Sequence, residues 1–466
     1  MGDDATGAAG EFSRIVGEHD VLTGEAIGPD YAHDEALVGD PVVPRYVARP
    51  QTAEQVAALL VAASAAGIPV TARGSGTGLS GAARPHADGL LVSFEKMASI
   101  IEIDTANQVA VVQPGVTLAD LDTATAEHGL VYQVFPGELS ASLGGNVATN
   151  AGGMRAVKYG VTRQNVLGVQ AALATGELIR AGGKITKISS GYDLTQLIVG
   201  SEGTLGLVTE VTLRLYPRLA HSATLLVPFA DLEAITRAVP AVLRTGVDPN
   251  ILEYIDSFTL AEIAQAQGLS LGIPDDIENT AQAYLVIGLE NRDHDRLDGD
   301  VVLLGELAES LGALDLYVLE GHSAHALIEA RERAFWMGKA AGADDVIDTV
   351  VPRAQMHEFL NRARELATEA NAGVIGCGHA GDGNVHLAVF CPDGDTRHRL
   401  LHQIFATAME LGGAIAGEHG LGRVKAGHYE ELEDPAKIAL MRRIKVAFDP
   451  SGILNPGALL TVPNDN

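Results

Sequence analysis

Arg73-Gly74-Ser75-Gly76-Thr77-Gly78-Leu79-Ser80-Gly81-Ala82-Ala83 is the stretch on which the fold turns. Gly76-x-Gly78-x-x-Gly81 matches the dinucleotide fingerprint as a string. That fingerprint requires a strand to enter the glycines and a helix to leave them. A strand at 68–72 does enter. What leaves is Arg84-Pro85, then Asp88-Gly89, then an apolar run at 90–94 that reads as another strand. The Rossmann arrangement therefore fails on context. A run of small, amide-exposing residues after a strand still makes a nest for a diphosphate, here between two strands.

Working outward, residues 1–45 form a mixed, acidic arm with a helical region at 10–19. A short strand begins at Tyr46, and Thr52 caps a helix running to about Gly67, with Val56, Leu59, Leu60 and Ala63 on its apolar side. Beyond the loop, 100–104 and 108–113 form a hairpin, and a helix spans 117–128. A second glycine system follows in Pro136-Gly137 and Ser142–Gly153, whose small residues allow backbone to pack directly on a flat ligand. A third, Val199–Val208, precedes a strand at 209–216, and Pro217 closes the domain.

The remainder changes character. Strand-and-helix units at 225–228 with 232–244 and 283–289 with 294–311 are followed by a strand at 315–319 and a helix at 323–336. A strand at 345–351, a helix at 353–370 and a hairpin complete the alternation. Short connections of this kind suggest an antiparallel sheet backed by helices. Helices at 395–411 and 435–448 precede Leu454-Asn455-Pro456-Gly457. The division expected is an arm at 1–45, a first domain at 46–218, a cap at 219–410 and a C-terminal segment at 411–466 that returns to the first domain.

The hairpin tip Gly378-His379-Ala380-Gly381-Asp382-Gly383-Asn384-Val385-His386 carries a histidine at each end. Two imidazoles at the base of one turn can share a metal ion, and Gly417-Glu418-His419-Gly420 offers a carboxylate and a third imidazole. Two turn histidines and an unrelated surface pair is the plain alternative. Four candidate groups in two glycine-flanked loops favour a site.

The chain of 466 residues holds 32 basic and 60 acidic residues, a net charge of −28. Such acidity argues against nucleic acid and anionic membrane surfaces, and an acidic substrate would need local positive charge. Two cysteines, Cys377 and Cys391, exclude a disulfide scaffold and leave no Cys-x-x-Cys for a metal. Cys377 shares the strand face of His379 and reads as a buried neutral thiol. No apolar run is long enough to span a bilayer, and Met1-Gly2-Asp3-Asp4 lacks a basic leader, so a cytoplasmic protein is expected.

Taken together, Arg73–Gly81, Gly144–Gly153, Gly191–Leu194 with Gly200–Gly206, His379–His386, Gly417–Gly422 and Leu454–Gly457 resemble, in order, the vanillyl-alcohol oxidase / p-cresol methylhydroxylase flavoprotein superfamily. The similar branch contains the glycolate oxidase flavin subunit, D-lactate dehydrogenase and D-2-hydroxyglutarate dehydrogenase. The resemblance spans roughly residues 45–460. It implies an α+β fold: a two-subdomain FAD-binding domain and an antiparallel-sheet cap, or substrate, domain with helices. It implies FAD, with the diphosphate on Gly74, Ser75, Gly76, Thr77, Gly78 and Leu79 after Arg73. The rest of the cofactor would lie along Pro136, Gly137, Ser142, Gly144, Gly145, Thr149, Asn150 and Gly152, with Glu202, Gly206 and Val208. Asn455 would reach the isoalloxazine. The loop has no histidine where covalent relatives attach the flavin, so a non-covalent flavin is implied.

The reaction implied is oxidation of a D-2-hydroxy acid to a 2-oxo acid by hydride transfer to flavin N5. His379, His386 and Glu418 would hold a divalent metal (zinc, manganese or iron) that lowers the pKa of the substrate hydroxyl. His419 would be the base, Arg331 the carboxylate-binding residue, and Asn384 a further member of the catalytic set. Val346, Ile347 and Phe335 depart from the hydroxyglutarate enzymes, which favours glycolate, D-lactate or a longer 2-hydroxy acid. Without iron–sulfur cysteines, electrons would leave to a quinone, an electron-transfer flavoprotein, a partner subunit or oxygen; a homodimer is also allowed. The alternatives are a related flavoenzyme acting on other alcohols or aldonolactones, and a flavin-carrying subunit of an electron-transfer complex.

Overall fold

The structure is a computed structural model and describes residues 4–268 and 271–461; Met1-Gly2-Asp3, read above for a leader, lies outside the described residues. The glycine loop springs from a four-stranded sheet ordered Val21–Thr23, Tyr46–Ala48, Leu90–Ser93, Val70–Arg73. Leu90–Ser93 pairs in parallel with both Tyr46–Ala48 and Val70–Arg73. Parallel strands in one sheet need a crossover, and helix Ala53–Ala66 makes the one from Tyr46–Ala48 to Val70–Arg73, which flank Leu90–Ser93. Its ends are set chemically: Thr52 accepts a hydrogen bond from the Gln55 N–H, and Gly67 closes the last turn at φ +62°.

A second sheet runs Ile100–Asp104, Val109–Val112, Leu207–Arg214, Val166–Ala172, Leu178–Gly182, all antiparallel. The last two strands escape the sequence reading because Gly168 and Gln170 break the apolar pattern of the first. The two sheets make the two subdomains expected of the first domain.

The cap is a seven-stranded antiparallel sheet ordered Tyr317–Leu319, His221–Phe229, Ala283–Asn291, Ile251–Asp256, Gly373–His379, Asn384–Phe390, Asp345–Val350. Helices Leu232–Arg244, Met356–Glu369 and Gly394–Glu410 cover one face, sealing Ile235, Val239, Phe359, Leu360 and Ile404 in the core. The opposite face carries the site. Strand Ile251–Asp256 is absent from the sequence reading for a physical reason. Every one of its residues is buried, so alternation is lost, and its internal Glu253 looks like a surface residue. The helix expected at 323–336 is two, Gly321–Glu332 and Ala334–Ala340, broken at Arg333 without glycine or proline. No described helix is long and apolar enough to cross a membrane.

The chain's last segment locks onto the first domain. Leu454 bridges in parallel to Val70, and Lys445 Nζ donates to Thr204 O at 2.8 Å and Leu454 O at 2.6 Å. Asn455, buried and left-handed at φ +40°, donates through Nδ2 to Ala82 O and Glu202 O, both at 2.8 Å, and accepts from Arg423 Nη2 at 3.0 Å. Asn455→Ala strands two buried carbonyls and one guanidinium donor, at about 1–3 kcal/mol per unpartnered group. Thermal or urea unfolding of the variant is expected to show a loss of several kcal/mol, and an unshifted midpoint would remove this clip from the account.

Candidate active site

Strand register assembles the site. Tyr254 pairs with Gly378 and Ile255 with Cys377, which sets Glu253 beside His379. His386 stands between Cys377 and Asp348 on its two neighbouring strands. The tip joining the histidines is tight: the Gly383 N–H bonds His379 O at 3.0 Å, and a Cβ on Gly383, at φ +81°, would collide with Val351 O.

Glu418 and His419 arrive on a loop held by carboxylates. Asp348 Oδ2 accepts from the N–H groups of Gly417 (3.1 Å), Glu418 (3.0 Å) and His419 (2.7 Å). Farther along, Glu202 accepts from Leu421 and Gly422 N–H, each at 2.8 Å. Ser80 Oγ also donates to His419 O.

The result is convergence on one oxygen. Glu418 Oε1 lies 3.2 Å from His379 Nε2, 3.3 Å from His386 Nε2 and 3.8 Å from His419 Nε2. Donors about 2.1 Å from a shared ion at tetrahedral angles sit about 3.4 Å apart, so His379, His386 and Glu418 could hold one cation. Asp348, His386 and His419 are a second, overlapping set of potential donors. Behind the first set, Glu253 Oε1 accepts from His379 Nδ1 at 2.6 Å, fixing the tautomer that turns Nε2 towards Glu418. Asp348 Oδ1 lies 3.8 Å from His386 Nδ1. His386 Nε2 is buried with no hydrogen-bond partner.

Burial opposes charge on His379, yet Glu253 and Glu418 outweigh it and push its pKa up to about 10. Glu418 is pulled down to about 2, against its own burial, chiefly by His379. Burial and the charge on His379 hold His386 well below the usual imidazole value. His419 is lowered mainly by burial. The cluster therefore contains both a strongly basic and a weakly basic imidazole.

Arg331 is buried, its Nη2 2.7 Å from Glu253 Oε2. Its Nε is buried and has no hydrogen-bond partner. It lines a cavity of about 750 Å³ with His379, His386, Glu418 and His419. Phe335 and Val346 line that cavity, whereas Ile347 points into the core on the other face of the sheet. Cys377 lines it too, its thiol pushed up to about 11 by burial. Asn384 does not line it; its amide is spent on Asp348 Oδ1 at 2.9 Å and Thr349 O at 3.1 Å, in a positioning role.

A narrow cleft of about 160 Å³ adjoins the cavity, and Leu79, Pro136, Glu418 and His419 line both. Its walls are Gly74, Ser75, Gly76, Thr77 and Gly78 with Ser142, Gly145, Thr149, Gly152 and Glu202. The amides of Gly76, Thr77 and Gly78 have no protein acceptor among the described residues, as a diphosphate nest requires. A Cβ on Gly152 would come within 2.5 Å of Glu418 Oε2. Gly144, Gly206 and Val208 line a smaller pocket next to the cleft, and Gly137 lines the cavity. Arg73 and Asn150 lie behind the walls: Arg73 donates to His33 O at 2.6 Å, and Asn150 Oδ1 accepts from Arg163 N–H at 2.8 Å. Asn455 supports Ala82 and Glu202 and lines neither cavity.

Glu253 and Asp348 are the functional residues that motif reading passed over. What marks them is position: each is the acid in the interior of a strand, Ile251–Asp256 or Asp345–Val350, whose other acid stands at the strand's end, and a buried carboxylate there needs a partner.

This is the architecture of a flavoprotein of the p-cresol methylhydroxylase type. Over 100% of this chain and 99% of the other, the structure superposes on substrate-bound p-cresol methylhydroxylase with a TM-score of 0.83 at 19% identity, a likeness of fold. Residues 44–182 match the FAD binding domain family and residues 218–459 the FAD linked oxidases, C-terminal domain family. The chain belongs to the FAD-linked oxidases. It is 63% identical to an uncharacterised FAD-linked oxidoreductase of Mycobacterium tuberculosis, covering 96% of this chain and 98% of that one. Identity is 38% to a D-lactate dehydrogenase of Archaeoglobus fulgidus (89% and 91% covered) and 35% to the glycolate oxidase subunit GlcD of Bacillus subtilis (90% and 89%).

Gly152→Val should close the junction between cleft and cavity. The purified variant is expected to carry far less than one flavin per chain by absorbance while keeping its far-ultraviolet circular dichroism; full flavin content would show that the cofactor avoids this cleft.

Proposed function

We propose that the protein oxidises a D-2-hydroxy acid to the corresponding 2-oxo acid and passes the electrons to an external acceptor. The observation that carries this reading is the convergence of His379, His386 and His419 on Glu418 Oε1, with Arg331, its Nε unpartnered, in the same cavity. An alcohol next to a carboxylate matches that pairing of a multidentate cluster with a guanidinium. Relatives named D-lactate dehydrogenase, glycolate oxidase subunit and D-2-hydroxyglutarate dehydrogenase support the substrate class.

FAD, bound non-covalently in the glycine-walled cleft, supplies a two-electron acceptor, and a divalent ion held by His379, His386 and Glu418 supplies Lewis acidity at the substrate hydroxyl. Arg331 binds the substrate carboxylate through the part of its guanidinium that Glu253 leaves open, its Nε–H included, and so orients the C2 hydroxyl towards the cluster. His419 takes the hydroxyl proton at Nε2, 3.8 Å from Glu418 Oε1; its backbone N–H is fixed by Asp348, so the ring is presented from a rigid support. Glu253 keeps His379 in the ligating tautomer and balances the charge of Arg331. The apolar walls exclude water from the reacting carbon. With no cysteine cluster, the electron acceptor is a diffusible molecule or a partner protein, as the name of the glycolate oxidase subunit suggests for that relative.

His419→Asn is expected to retain flavin but to slow anaerobic bleaching by substrate by about 10²–10⁴-fold; unimpaired bleaching would remove it as the base. Dialysis against a chelator should abolish turnover while leaving the flavin spectrum in place, and zinc, manganese or iron(II) added singly should identify the ion by recovery. Full activity in a preparation free of metal by elemental analysis would sink the Lewis-acid role.

A further inference from the structure

The same register that gathers the histidines also lays out what lies beyond them. Cys377, His386 and Asp348 form one row across three strands. Two residues along, the facing set is Ile375, Ala388 and Val346, and two further on Phe390 faces Gly373. Alternate residues share a face, so the row that carries the chemistry continues as an apolar strip of about 13 Å from His386 to Phe390, at about 3.3 Å per residue. Phe258 and Ile263 from helix Ser257–Gln267 and Phe335 from helix Ala334–Ala340 add apolar wall to the same cavity.

Two features limit what this space accepts. Its volume is about 750 Å³; the part walled by Leu79, Pro136 and Gly153 of the first domain is left to the flavin, and the part along the cap sheet is the apolar strip. Its charges are also one-sided. Arg331 is the one lysine or arginine among the described lining residues, and the acids outside the histidine cluster are Glu262 and Glu332. A second carboxylate at the far end of a substrate would meet hydrocarbon or like charge.

We propose that the substrate is a 2-hydroxy monocarboxylic acid whose medium-chain aliphatic tail lies along the Ile375–Ala388–Val346–Phe390 strip. This rests on the 2-hydroxy-acid reading above and narrows it away from lactate, glycolate and dicarboxylic acids. The carboxylate sits on Arg331, the hydroxyl faces the histidines, and each further methylene leaves water for the strip.

The test is a chain-length series on the holoenzyme with a dye acceptor: D-2-hydroxy acids from lactate through 2-hydroxydecanoate, with D-2-hydroxyglutarate and D-phenyllactate alongside. Burial of a methylene, about 0.8 kcal/mol, should raise kcat/KM about fourfold per added carbon until the strip is filled. Hydroxyglutarate should fall far below its five-carbon monocarboxylate counterpart, 2-hydroxypentanoate. Ala388→Phe, which fills the strip, should lower the 2-hydroxyoctanoate-to-lactate ratio of kcat/KM at least tenfold. Separately, octanoate should perturb the flavin spectrum at much lower concentration than acetate, which reads the strip without turnover. A flat or falling series with lactate the best substrate overturns this inference and leaves the hydroxy-acid reading standing. Failure of every 2-hydroxy acid to bleach the flavin, with octanoate still bound tightly, would sink that reading while keeping an apolar-tail ligand. Octanoate binding no tighter than acetate overturns the inference whatever the turnover shows. Phenyllactate outrunning every aliphatic acid overturns the choice of tail.

Discussion

Residues 417–422 are suspended between two buried carboxylates, Asp348 of the cap and Glu202 of the first domain, and the site depends on that suspension. Burying an ionised carboxylate costs several kcal/mol unless donors replace water. The loop's own N–H groups are those donors, three on Asp348 and two on Glu202. The two acids respond differently to enclosure. Burial pushes Glu202 up to about 7 despite its two N–H bonds. Asp348 is held far below the usual carboxylate range because nearby His419, Lys425 and His386 outweigh its desolvation. The cap therefore supplies the firmly charged anchor, and the first domain the softer one.

The two domains use different materials. The first domain meets its ligand with backbone, glycine after glycine, because side chains at Gly74 or Gly152 would intrude on Ser142 or Glu418. The cap lines its cavity with side chains, His379 and His386 aimed by strand positions and each with an acid one layer back. Backbone recognition suits a cofactor that never changes. Side-chain recognition suits chemistry and substrate choice, which adjust by substitution without rebuilding the sheet.

Much of this was legible in the sequence, and the parts that were not share a cause. The Arg73–Ala83 loop between two strands, the helix capped by Thr52 and the histidine hairpin all carry local punctuation, which short-range reading captures. The candidate set of His379, His386 and Glu418 was readable because its members sit in glycine-flanked motifs, whereas Arg331 came only with the family resemblance. Strand Ile251–Asp256 has neither signal, since burial on both faces erases alternation, and with it went Glu253, whose importance comes from a partner 126 residues away. Asn384 and Asn455 were read as reaching the ligands, whereas in the fold their amides tie segments together. A short polar side chain in a motif gives no sign of which way it faces.

The suspended loop also bears on how molecules enter and leave. A jaw-like opening of the cap away from its base would drag residues 417–422 off one anchor or the other and scatter Glu418 from both imidazoles. The two halves are thus riveted, and passage to the interior is left to the mouth of the cavity, which helices Ser257–Gln267 and Ala334–Ala340 border.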